Sequence, residues 1–210
     1  EERANEILQK GLEGEDLAQS EIDDFKAFLM HFYGKLNYET NWVMQIHFGA
    51  VRDYRDKLME NLGKVSGGDI SSQNLKVVEN LRDFVNAFDE KLEIVLYCLD
   101  PTHLPTITTI AIAFPNISIG AAWWLNDSPY GMETHLEYTS SVDLLSNFAG
   151  MVTDSRKLMS YGSRSEMFRR TLCNVLGKMV DKGQVPFDIA EDLAKRASYQ
   201  RPKNLFFKNN

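Results

Sequence analysis

The spacing of apolar positions changes several times along this chain, and each change marks an element. Over residues 1–40 they recur at helical intervals, first Ala4, Ile7 and Leu8, then Phe25, Phe28, Leu29, Phe32 and Leu36. This predicts leading helices. Ser20-Glu-Ile-Asp23 resembles a capping box with Asp in place of the usual Glu or Gln. The pattern then condenses into four short apolar runs, residues 41–50, 93–100, 117–124 and 148–153. Runs of this length suit strands buried on both faces. Amphipathic helices are predicted between them over 75–88, 106–114 and 131–145, and two further helices follow over 165–182 and 187–198. Residues 51–74 read as a long connection with one short helical piece, the kind of segment that carries function. Its Gly67-Gly68 pair has no Lys-Ser/Thr after it and is not a phosphate loop. Near the end, Leu205-Phe206-Phe207 is expected to dock on the body, with Lys203, Asn204, Lys208, Asn209 and Asn210 solvated.

Buried strands alternating with amphipathic helices give an α/β fold with a parallel sheet and right-handed crossovers. Four such units are half of an eight-stranded β/α barrel. An open half-barrel would leave two apolar strand edges and an unfilled interior. The alternatives are a smaller open sheet or the later part of a larger barrel. On the second view residues 1–210 are one partial domain, with leading helices over 1–40, strands and crossovers over 41–156 and closing helices over 157–210.

Composition narrows the function classes. A net charge of −7 on 210 residues argues against a general nucleic-acid binder. No apolar run approaches the ~20 residues of a membrane span, and no signal-peptide core follows the charged Glu1-Glu2-Arg3. Cys98 and Cys173 stand far apart in apolar surroundings and are expected to be reduced core residues of a cytoplasmic protein.

The candidate chemistry lies at the strand ends, which a parallel sheet gathers on one face. His47 and Arg52 follow the first run, Asp100 the second, Trp123 to Asp127 the third, and Asp154 and Arg156 the fourth. Asp154 is a metal ligand or an acid/base if it faces a site, and a helix N-cap if it does not. Arg156 offers a planar charged fork to a carboxylate or an enediolate, or is simply solvated. His47 is a hydrogen-bonded core histidine or a site residue. Asp100, before Pro101, reads as a turn former. The tandem tryptophans are packing, or a platform for a sugar ring. His31 reads as a partly buried or surface histidine of an amphipathic helix, His103 as a loop histidine and His135 as an exposed one.

Three motifs taken together resemble the uronate isomerase family of the amidohydrolase superfamily. They are Met44-Gln-Ile-His-Phe-Gly-Ala-Val-Arg52, Trp123-Trp-Leu-Asn-Asp127, and Gly150-Met-Val-Thr-Asp-Ser-Arg156 followed by Phe168-Arg-Arg170. The likeness runs from about residue 20 to about residue 207 and covers the C-terminal half of that family's chain. It implies the C-terminal half of a (β/α)8 barrel and aldose–ketose isomerisation of hexuronates, D-glucuronate to D-fructuronate and D-galacturonate to D-tagaturonate. It further implies a divalent metal, often zinc, with Asp154 as a ligand. Arg156 and His47 become active-site residues and Trp123 a substrate contact, with Arg52 beside the same site. The family's His-x-His ligand pair has no counterpart among His31, His47, His103 and His135, and the base acting at C2 is expected in the absent half. These 210 residues alone are therefore expected to be inactive. The alternatives are a metal-dependent hydrolase of the same superfamily, or a non-catalytic half-barrel pairing with its missing half or with itself.

Overall fold

The structure, a computed structural model, describes residues 1–207. Helix α1 (Glu2–Leu12) packs on α2 (Gln19–Glu39). The half-buried face between them is fastened by Glu21, which receives Lys10 Nζ at 3.1 Å and Arg3 at 3.5 Å. The capping interaction falls earlier than the sequence suggests. Glu21 Oε2 accepts the backbone N–H of Ala18 at 2.9 Å, so Ala18 is the cap and Ser20 already lies inside the helix. A carboxylate three residues into a helix satisfies a free N–H there whichever residue precedes it.

The chain continues through β1 (Met44–Phe48), β2 (Ala50–Val51), α3 (Asp56–Leu62), β3 (Ile70–Ser71), α4 (Val77–Ala87), β4 (Ile94–Cys98), α5 (Leu104–Ala113) and β5 (Ile117–Ile119). After these come α6 (Pro129–Ser141), α7 (Met159–Asp181), α8 (Phe187–Lys195) and α9 (Arg201–Phe206). The long connection after β1 is a small antiparallel pair, β2 with β3, enclosing α3. The long helix begins at Met159, six residues before its expected start.

Among the described residues the main sheet has the order β1-β4-β5, with both pairings parallel. This bears out an α/β fold with a parallel sheet. The expected fourth strand is a correction: residues 148–153 contribute one parallel bridge, Phe148 to Ile119. Gly150, at φ 94°, then turns the chain out of extended geometry, so the apolar run reports burial without strand pairing. The third run is cut short likewise, since only Ile117–Ile119 pair.

Alternation along the strands sorts two cores. Ile94, Leu96, Ile117 and Ile119 face α4 and α5. Val95, Tyr97 and Leu99 point to the opposite face and pack with Trp123, Ala149 and Leu205. Leu205 is buried and Phe206 lies against it, so the closing segment docks as expected, while Phe207 stays exposed. Lys208, Asn209 and Asn210 lie outside the described residues. Arg201 anchors this segment: its Nη2 donates to Ser118 Oγ and Asn147 Oδ1, both at 2.9 Å. A third core joins α6, α7 and α8 through Leu136, Phe168, Leu172 and Ala190, with Phe148 packed among them. Cys98 is buried and its thiol is pushed up to about 11 by that burial. Cys173 is exposed on α7, contrary to its expected core place. Both thiols are free. No helix among the described residues is long and apolar enough to cross a membrane.

Candidate active site

The parallel register sets His47 of β1 beside Tyr97 of β4. Their rings stack at 4.3 Å with 6° between planes, and Trp123 meets His47 edge-on at 5.0 Å. Tyr97 occupies the inner face because its cross-strand neighbour is Gly120. A Cβ on Gly120 would lie 2.1 Å from the Tyr97 ring. The phenol is tied off by donating to Gln45 Oε1 at 2.9 Å. Burial lowers the pKa of His47 below the ordinary imidazole value, opposed by a hydrogen bond to the Gln45 backbone and by the charge of Asp154. The imidazole is held on a rigid aromatic floor with one side open. Nothing in the sequence marks Tyr97 as that floor except the strand register.

Arg52 comes from the end of β2. Its guanidinium lies 4.6 Å over the Trp124 ring and donates to Asp69 Oδ2 at 3.0 Å. Asp69 also accepts the Asp53 N–H at 2.7 Å, and these two contacts lower its pKa. A cation held over an indole face by a buried carboxylate is a fixed part of the surface. Trp123 is 5% exposed and buried in the inner core. It supports His47, and the half-buried Trp124 is the ring nearer solvent.

Asp154 and Arg156 sit in an irregular segment between Phe148 and α7, and both side chains are exposed. Asp154 has φ 44°, a left-handed value uncommon for a residue with a side chain. Neither side chain has a hydrogen bond or ion pair among the described residues. The structure brings His47, Trp123, Arg52 with Trp124, and the Asp154 segment to one end of the sheet. Asp100 does not join them: its Oδ1 accepts Thr102 N–H at 2.9 Å and Thr102 O–H at 2.7 Å, capping the turn before α5. His103 bonds the Gln73 carbonyl, and His31 packs on Phe84 and Phe88.

His135 is a correction. It is half-buried on α6, not exposed, and its Nε2 donates to the Gly120 carbonyl at 2.9 Å. Burial pushes its pKa down to about 4, so it is neutral at pH 7. It faces a separate cavity of about 460 Å³ between α5 and α6.

Among the described residues no three His, Cys, Asp or Glu side chains come together to hold a metal ion. Asp154 alone falls short of the roughly three protein ligands a catalytic zinc takes. This chain's described residues do not by themselves fit a metal site.

The family model described as glucuronate isomerase matches residues 1–206. The chain belongs to the glucuronate isomerase family. It is 63% identical over 207 residues to the uronate isomerase of Thermotoga maritima, covering 99% of this chain and 46% of that relative. It is 40% identical over 190 residues to that of Photorhabdus laumondii, covering 87% of this chain and 40% of that one. The crystal structure of the Thermotoga maritima uronate isomerase superposes with a TM-score of 0.96 over 98% of this chain and 46% of that chain. The glucuronate isomerase of Caulobacter crescentus superposes with a TM-score of 0.90 at 26% identity, over 99% of this chain and 43% of that chain. The chain spans about half the length of the curated relatives it matches.

Proposed function

We infer that this chain supplies one half of the β/α barrel of a hexuronate isomerase. The complete enzyme would interconvert D-glucuronate with D-fructuronate, and D-galacturonate with D-tagaturonate. The observation that carries this reading is the family match across residues 1–206, which includes every residue of the strand-end cluster.

The cluster's residue types suit the reaction. A proton leaves the carbon beside the carbonyl and returns to the neighbouring carbon, through an enediolate. Arg156, exposed and unpaired, is the cation for that oxyanion or for the uronate carboxylate. Asp154 is a carboxylate close enough to His47 to influence its titration, and it suits proton holding at the reacting carbons. His47, whose imidazole is made harder to protonate by burial, hydrogen-bonds a substrate oxygen. Arg52 and Trp124 form the wall for the sugar face, and Trp123 backs it from the core.

The test is a chimera. The portion of the Thermotoga maritima enzyme that this chain does not align with is joined to residues 1–210. The chimera is expected to convert glucuronate to a ketose with no gain of water, while the chain alone turns over nothing. A folded chimera inactive on both uronates, or a hydrolysed product, overturns the reading. In the active chimera, Arg156→Met is expected to lower kcat/KM by about 100-fold, the scale of losing one oxyanion-stabilising group.

A further inference from the structure

We propose that Arg164 and Tyr161, with Asp127 behind Arg164, are positioning residues. They hold the Thr153 and Ser155 carbonyls, in the peptide groups that lead into Asp154 and into Arg156, and thereby fix the direction in which those two side chains are presented. The proposal rests on the isomerase reading only for what those two side chains do; the brace itself is a feature of this chain.

The segment from Gly150 to Leu158 has no regular structure, and φ 44° at Asp154 costs of order 1 kcal/mol. Such a segment relaxes unless its surroundings hold it. Two side chains from the first turns of α7 do so. Arg164 Nη1 donates to the Thr153 carbonyl at 2.7 Å, and Tyr161 O–H donates to the Ser155 carbonyl at 2.9 Å. The carbonyls immediately before and after Asp154's own are thus both occupied. Ser155 Oγ also accepts the Lys157 N–H at 3.1 Å and lies against Ser160 Oγ.

Behind Arg164 stands Asp127, whose side chain is 1% exposed and lies 3.0 Å from Nη1. Neither of its carboxylate oxygens has a hydrogen bond of good geometry, so it acts on Arg164 through charge. A buried carboxylate is costly without a compensating cation, and Arg164 is the cation beside it. Asp127 ends the tryptophan motif that leaves β5. Its pairing with Arg164 therefore registers that strand end against the Asp154 segment, 27 residues later in the chain. The outcome is selective: the backbone around Asp154 is tied down while the Asp154 and Arg156 side chains are left free. A site needs its reacting groups aimed and unengaged.

The first test uses the chain as it is. Hydrogen exchange is followed by mass spectrometry in Tyr161→Phe, Arg164→Gln and Arg164→Lys. Exchange over residues 151–158 is expected to rise about tenfold in the first two, with β4 unchanged and partial recovery in Arg164→Lys. Unchanged exchange over 151–158, or equal acceleration in β4, overturns the brace. The second test places the same variants in the chimera. A mere loss of folded enzyme would lower kcat and leave KM for glucuronate alone, whereas misaiming Arg156 and Asp154 is expected to raise KM about tenfold and lower kcat as well. Unchanged KM overturns the role in presentation. If the unsubstituted chimera is inactive, the isomerase reading fails and the exchange result decides the brace by itself.

Discussion

Gly120 is the residue on which the inner face turns. Its bare Cα lets the Tyr97 ring lie flat across it, its N–H donates to the Leu96 carbonyl at 3.0 Å, and its carbonyl accepts His135. Gly120→Ala is expected to force the Tyr97 ring away and cost roughly 1–3 kcal/mol, read as a lower urea midpoint with the slope retained. His135 gives a prediction in pH. Its folded pKa, about 4, lies below the unfolded value near 6.5, so between these values the unfolded chain binds a proton the native chain refuses. Its contribution is full above about 6.5 and is lost as pH falls towards 4, by at most about 3 kcal/mol. Urea titrations of the wild type and His135→Gln across this range are expected to show that slope in the wild type and its absence in the variant. His47, Arg52, Asp154 and Arg156 were visible in the sequence because charge at the end of an apolar run is anomalous. Tyr97, Tyr161 and Arg164 were not. A tyrosine in a strand and a Tyr/Arg pair opening a helix are ordinary, and only the fold shows what they touch.

At the scale of elements, α9 does work out of proportion to its six residues. It lays Leu205 over Val95, Tyr97 and Leu99 and is pinned by Arg201 to β5 and to Asn147. Leu205→Ala is expected to cost about 2–5 kcal/mol, measurable by thermal or urea unfolding. Arg201→Met, which leaves Ser118 and Asn147 to bond each other, is expected to cost less. The elements most legible in the sequence were those whose burial and pairing coincide, above all β4, buried along its whole length between two neighbours. The run over 148–153 misled because periodicity reports what a residue faces. Whether its backbone also finds a ladder depends on a neighbour and on Gly150, and neither is a local property of the run.

For the whole molecule, the family match, the superposition on two isomerase crystal structures and the strand-end cluster agree, while the ligand count falls short of a metal site. These fit together if the chemistry is shared between this chain and residues outside it, which the chimera tests. The α/β class was legible because alternation of element types is written along the chain. The proposed sharing rests on the motifs, since periodicity carries no information about ligands outside the chain. The sheet order has a further consequence. Strands β1, β4 and β5, and then the Phe148 bridge, stand side by side in the order in which they are encoded. As the polypeptide leaves the ribosome, β4, β5 and the Phe148 bridge each meet a neighbour already made, and none of them has to be inserted between two others. The exception is Leu205, which covers the inner face but is encoded well after the strands it packs against. Until Leu205 is made, Val95, Tyr97 and Leu99 lack that part of their cover, an apolar face open to other contacts during synthesis.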